Sequence, residues 1–159
     1  MVDVKMRMLR VTSPAFQAGD VLPERCTCDG ADESPPLAWS GTPEGTRAYA
    51  LVVEDPDAPS GAFVYWIAWD LPVEATGLRA KFNPRESPPT QGVNSFGRLG
   101  YGGPCPPIGH AAHRYHIRLY ALDALLGLPA GSTRADLDAA MQGHVLGSAE
   151  LMATHGRGR

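Results

Sequence analysis

Two aspartates separated by a proline are the first residues of the chain that could do chemistry. Asp55 and Asp57 belong to the segment 55–61, whose sequence is DPDAPSG and which follows a predicted strand. Carboxylates two residues apart could act as a general acid and a general base. The alternative is that both accept hydrogen bonds from turn amides, which is the more common role of aspartate in a turn.

Three histidines spaced by three residues, His110, His113 and His116, form the second candidate. On a helix this spacing would favour a metal site. The surrounding alternation predicts a strand instead, on which His113 points to the opposite face from the other two. The sequence therefore predicts no metal site and no cofactor.

His113 shares its predicted inward face with Tyr115, and the Gly- and Pro-rich segment 102–107 precedes this strand. A histidine beside a tyrosine hydroxyl and loop amides could hold a phosphate or another oxyanion. The alternative is a core histidine that is hydrogen-bonded to a neighbouring carbonyl. No nucleophile motif accompanies the group: Cys105 lies between prolines, and neither Ser60 nor Ser95 stands in a G-x-S-x-G elbow. We therefore expect no catalytic residue.

The elements that must position these residues are mostly strands. Segments 47–54 and 63–71 are rich in Val, Leu and aromatic residues, so we expect two neighbouring strands there. Residues 113–122 alternate, which predicts an antiparallel strand with one solvent-facing side. Thr133 with Asp136 three residues later predicts a helix start, and alternation at 149–153 predicts a last strand. An opening strand is predicted near 4–8, and the longest irregular stretch covers 77–101. The fold class is mostly β, a sandwich or barrel with a late helix.

Composition excludes several classes of protein. The 159 residues predict a single domain, 1–159, and a net charge of −3 gives no basis for binding nucleic acid or an anionic membrane. We find no apolar segment long enough for membrane insertion and no secretory signal, so we expect a cytoplasmic protein. Three cysteines are too few for a disulfide framework. Whether Cys28 and Cys105 pair stays open.

Several motifs in register resemble the prokaryotic branch of the phosphatidylethanolamine-binding protein family, also called Raf kinase inhibitor-like proteins. The resemblance covers nearly the whole chain. It rests on SPPLAW at 34–39, DPDAP at 55–59, NSFG at 94–97, GYGGPCPP at 100–107 and HRY at 113–115. It implies an antiparallel β-sandwich with a short C-terminal helix.

The resemblance also implies a ligand pocket and its residues. Carried over position by position, the pocket residues are Asp55, Asp57, Pro59, Pro104, His113 and Tyr115, and we add Gly103 and Tyr65 to this set. Tyr65 stands where the family usually carries a histidine. A tyrosine donates one hydrogen bond but brings no positive charge near neutral pH, so we expect weaker anion binding or a different ligand.

The resemblance implies a non-catalytic protein that binds a phosphate- or carboxylate-bearing small molecule or a phospholipid headgroup. It also implies modulation of a protein kinase or a serine protease. Two alternatives remain: direct inhibition of a protease or kinase by the loop 82–96, and weak phosphoester hydrolysis by Asp57 and His113. Anion binding should strengthen as the pH falls and the imidazole is protonated. The sequence leaves open whether the chain forms a homodimer.

Overall fold

The computed structural model describes residues 8–56, 58, 61–105 and 113–155. Two antiparallel sheets and one short helix make up the fold, which is mostly β as predicted. The strands are β1 Arg10–Thr12, β2 Leu37–Ser40, β3 Ala48–Asp55, β4 Phe63–Pro72, β5 Gly77–Leu78, β6 Thr90–Gln91, β7 His113–Leu122 and β8 Val145–His155. The helix α1 spans Arg134–Met141, and a 3-10 turn covers Glu24–Cys26.

The larger sheet has the strand order β6-β4-β3-β7-β8, so β3 lies at its centre. All eight residues of β3 are buried, since both faces of the sheet are covered at this strand. Its inner face packs against the smaller sheet, β1-β2-β5, through residues such as Leu51 and Val53. Its outer face packs under α1 through Ala50 and Val52. The predicted strands at 47–54 and 63–71 are therefore confirmed, and they are antiparallel neighbours.

Helix α1 begins where its capping residues predict. The Thr133 side chain accepts the amide of Asp136, and the Asp136 carboxylate accepts the amide of Thr133, which together form a capping box. Leu137 and Met141 are buried against the outer face of the sheet. One expectation about this outer face changes. The outer side of β7 was predicted to face solvent, but His116 there is only 7% exposed.

The remaining expectations about elements have mixed outcomes. The last strand is longer than predicted, Val145–His155, because it pairs with β7 along its whole length and with the 19–22 segment near its end. The predicted opening strand lies largely outside the described residues, and the first described strand is β1. The irregular stretch 77–101 contains two strands of two residues each, β5 and β6.

Candidate functional site

The end of β3, the start of β4 and the start of β7 meet at one end of the larger sheet, because these three strands are antiparallel neighbours. Asp55 ends β3 and His113 begins β7. The Asp55 carboxylate is 2% exposed, and His113 Nδ1 lies 2.8 Å from Asp55 Oδ2. Because a carboxylate only accepts, Nδ1 carries the proton in this pair. A buried carboxylate requires such a partner.

Tyr65 reaches the same face because β4 carries a bulge. In the register between β3 and β4, Val53 pairs with Trp66 and Glu54 pairs with Val64, so Tyr65 is the extra residue. A bulge re-aims the side chain that it carries. Tyr65 and Trp66 both pack into the inner core as a result, although they are consecutive in sequence.

The Tyr65 hydroxyl is a neutral hydrogen-bond donor next to the Asp55 carboxylate. Burial, with a further contribution from the negative charge of Asp55, raises the pKa of Tyr65 far above its ordinary value. Within the described part of the chain, no residue accepts a hydrogen bond from this hydroxyl. The proton of Tyr65 is therefore available to a bound acceptor.

Tyr115 has a different role, although it stands on the same face. Tyr101 donates its only hydroxyl proton to the carbonyl of Cys26, at 2.7 Å. The 2.9 Å hydrogen bond between Tyr101 and Tyr115 must then be donated by Tyr115. Burial raises the pKa of both phenols well above the ordinary value, so neither ionises near neutral pH. Tyr115, fully buried, stacks on the Tyr65 ring at 5.5 Å and holds that ring in place.

The loop after Tyr101 is fixed by its own amides. Gly102 donates its N–H to the carbonyl of Tyr65, and Gly103 donates its N–H to Asp32 Oδ1 at 2.6 Å. A Cβ at Gly103 would lie 2.2 Å from the carbonyl oxygen of Cys26, so only glycine fits there. Both amides already donate hydrogen bonds within the protein, so neither is available to a ligand.

A disulfide ties this loop to the 3-10 turn region. Cys28 and Cys105 are bonded, with their Cα atoms 5.4 Å apart, which settles the pairing that the sequence left open. The amide of Cys28 also donates to the carbonyl of Pro104, and Pro104 is buried. Asp57 and Pro59, also predicted to line the pocket, lie outside the described residues, as does His110.

His155 is a residue of this region that the sequence reasoning missed. It is directly opposite His113 in the register of β7 and β8, so the two side chains share a face. His155 is 7% exposed. Only the pairing register brings the two histidines together, and 42 positions of chain separate them, so no local pattern could have indicated it.

Three further observations bear on the expectations from the sequence. No group of three or more metal-ligating side chains converges among the residues that the structure describes. The loop 82–96 is anchored by the buried residues Phe82, Gln91 and Asn94, while most of the residues in 83–88 are exposed. The helix found in the described ranges is too short to cross a membrane.

Comparison with known proteins agrees with the fold and with these motifs. The model of the family described as phosphatidylethanolamine-binding protein matches residues 12–156. A protein of Aquifex aeolicus named UPF0098 is 42% identical over 153 residues, which are 94% of this chain and 90% of that protein. The chain belongs to the phosphatidylethanolamine-binding protein family.

Two solved structures show the same fold. A putative family homologue from Chlamydia trachomatis, CT736, has a TM-score of 0.87 and 36% identity, and the match covers 95% of this chain and 99% of that one. YbcL of E. coli, described as a new member of the mammalian family, has a TM-score of 0.87 and 31% identity, with 93% and 98% covered. The predicted β-sandwich class is thereby confirmed.

Proposed function

We propose that this protein binds a small anionic group, a phosphate or a carboxylate, at the end of the larger sheet and does not convert it chemically. One combination of contacts supports this proposal. His113 Nδ1 lies 2.8 Å from Asp55 Oδ2, and on the same face the Tyr65 hydroxyl donates to no acceptor among the described residues. Tyr65 donates a hydrogen bond to the anion, and the imidazolium form of His113 supplies positive charge.

Asp55 serves the site by orienting the imidazole of His113 through their 2.8 Å hydrogen bond. His155, opposite His113, brings a second imidazole to the same face. Asp55 and His155 are titratable groups that lie beside His113, and the stacked rings of Tyr65 and Tyr115 lie on the same inner face. We infer that Gly103 and Pro104 shape the wall of the site, since the Gly103 amide already has an acceptor.

The anion can belong to a free metabolite, a phospholipid headgroup or a partner protein such as a kinase or a serine protease. All three share the oxyanion that Tyr65 and His113 would bind. A relation to a kinase or protease stays a prediction.

The test is an NMR titration that follows the imidazole signals of His113 and His155. Inorganic phosphate, phosphoethanolamine, acetate and sulfate are added separately, and vesicles with and without phosphatidylethanolamine distinguish a headgroup from a free anion. Sulfate keeps its charge between about pH 8 and about pH 5.5, so any change in its affinity reports the protein. We expect tighter sulfate binding as the pH falls, because the protonated ring is the cation.

Three variants give the controls. His113→Ala should weaken binding and reduce its pH dependence, with His155 as the imidazole that remains on this face. His144→Ala should leave both unchanged, because His144 forms a similar pair with Asp123 but is partly exposed and precedes the start of β8, far from His155 at its end. Tyr65→His should steepen the pH dependence. Flat binding across the pH range would contradict the proposal, and phosphate release that disappears in His113→Ala would replace it with hydrolysis.

A further inference from the structure

Two phenylalanines and one arginine extend the site outward along its rim. Phe63 begins β4 and pairs with Asp55 across the sheet, so its side chain shares the face of the Asp55–His113 pair. The Phe63 ring lies 5.5 Å from the Tyr65 ring, and Phe96 packs edge-on against Phe63 at 4.9 Å. Four rings therefore run from the buried Tyr115 to the surface at Phe96, which is 39% exposed.

The turn that carries Phe96 is rigidly built. Asn94 is 4% exposed, and its Oδ1 accepts the amides of Phe96 and Arg98 while its Nδ2 donates to the carbonyl of Gly100. Ser95 exchanges two hydrogen bonds with the backbone of Val64 on β4. An exposed phenyl ring held by this many buried polar contacts is preorganised, so a ligand would lose little entropy in ordering it.

The Phe96 ring packs against Gly102, in the Gly- and Pro-rich loop that follows Tyr101. A Cβ at Gly102 would lie 2.7 Å from the Phe96 ring, so the ring would have to shift if this glycine were replaced. The Arg98 guanidinium stands over the Phe96 ring at 5.4 Å and lies 3.8 Å from Asp32. Because the carboxylate of Asp32 already compensates the positive charge of Arg98, a second anionic group on a ligand would gain little electrostatic attraction at this rim. A flat, uncharged group would gain contact with the rings.

We propose that Phe63 and Phe96, backed by Arg98, form an outer subsite for an aromatic group attached to the bound anion, so that the preferred ligands are aryl phosphates or aryl carboxylates. This proposal rests on the anion site proposed above. An anion held by Tyr65 and His113 would place its substituent next to Phe63, since Phe63 adjoins Tyr65 and is the cross-strand partner of Asp55.

The test compares the dissociation constants of phenyl phosphate, phosphoethanolamine and inorganic phosphate for the intact protein by calorimetry. We expect phenyl phosphate to bind roughly 2- to 12-fold more tightly than phosphoethanolamine, the range that aromatic contacts give. Phe96→Ala should bring this ratio close to one while the affinity for inorganic phosphate is unchanged. Phe96→Leu should retain an intermediate ratio.

Leu146→Ala is the matched control, since Leu146 is 42% exposed, similar to Phe96, and lies at the far end of β8. It should change neither affinity. Equal binding of the two esters by the wild type, or a ratio that survives Phe96→Ala, would overturn the subsite. Failure of inorganic phosphate to bind the wild type would instead overturn the anion site.

Discussion

Three tyrosines near the site each have one hydroxyl proton, and the acceptor of that proton decides what each residue can do. Tyr101 donates to the Cys26 carbonyl, Tyr115 donates to Tyr101, and Tyr65 has no acceptor within the described part of the chain. A phenol has one proton, so a tyrosine that is already donating cannot also donate to a ligand. Tyr65 and Tyr115 therefore have separate roles although their rings are stacked.

Removing each hydroxyl separately tests this assignment. We expect Tyr65→Phe to weaken sulfate binding by roughly 10- to 100-fold, because a hydrogen bond to a charged group contributes about 1.5–3 kcal/mol. Tyr115→Phe should leave sulfate binding nearly unchanged and lower the free energy of unfolding by about 1 kcal/mol. Calorimetry and urea unfolding of both variants provide the measurements. Equal losses of affinity in the two variants would show that Tyr115 also donates to the ligand.

At the scale of elements, the buried carboxylate of Glu54 connects α1 to the central strand of the larger sheet. Glu54 on β3 is 2% exposed and accepts hydrogen bonds from Arg118 on β7, at 2.8 Å, and from Arg134 at the start of α1. Arg134 also pairs with Asp138 one helical turn later. Glu54 thus joins two strands and the helix at one point, next to Asp55 in sequence but on the opposite face.

Glu54→Ala should lower the free energy of unfolding by about 3–5 kcal/mol, because it leaves two partly buried guanidinium groups without their shared carboxylate. Asp138→Ala is the matched control. Its carboxylate contacts the same Arg134 but is 52% exposed, so we expect a loss of at most about 1 kcal/mol. Urea unfolding measures both. Similar losses in the two variants would mean that the Glu54 cluster does not fasten the helix.

At the scale of the whole molecule, the disulfide joins segments 77 residues apart and fixes the loop beside the anion site. Closing a loop of this length in the unfolded chain corresponds to about 4.5 kcal/mol in the chain-entropy estimate. Disulfides persist in oxidising compartments and are rare in the cytosol. The cytoplasmic location therefore stays a prediction, and the disulfide is the structural feature that weighs against it.

Thiol counting with an alkylating reagent tests the state of all three cysteines. Cys26 is fully buried, and burial raises its pKa from 9.0 to about 11, so the native protein should show no reactive thiol at about pH 8. Unfolding without a reductant should expose one thiol, and unfolding after reduction should expose three. Reduction should also lower the free energy of unfolding by about 2–5 kcal/mol. Three reactive thiols in the unreduced, unfolded chain would show that Cys28 and Cys105 are not bonded.

The pH dependence of stability at alkaline pH follows from the buried thiol of Cys26 and from the buried phenols of Tyr65, Tyr101 and Tyr115. Because the folded pKa of each group is raised, the unfolded chain loses these protons first. Stability should therefore fall as the pH rises from about 9 to about 11, with Cys26 the first to contribute.

Local chemistry made several parts of this protein predictable from sequence. The bounds of β7, the approximate bounds of β3 and β4, and the capping box at Thr133 were predicted correctly, because each depends on residues within a few positions of one another. The motifs at 94–107 and 113–115 indicated the family for the same reason: their spacing is readable along the chain.

Other features depended on which strands became neighbours and in what register. The bulge that turns Tyr65 inward depends on the register between two consecutive strands. The placement of His155 opposite His113 and the Cys28–Cys105 bond join segments that are distant in sequence. Tyr115 donates its hydroxyl proton to Tyr101 only because β7 and the loop that carries Tyr101 converge there. The sequence by itself determined the kinds of elements and the candidate residues. The tertiary structure decided which side chains meet and which hydroxyl can still donate, because pairing register and hydrogen-bond partners are properties of the assembled sheets.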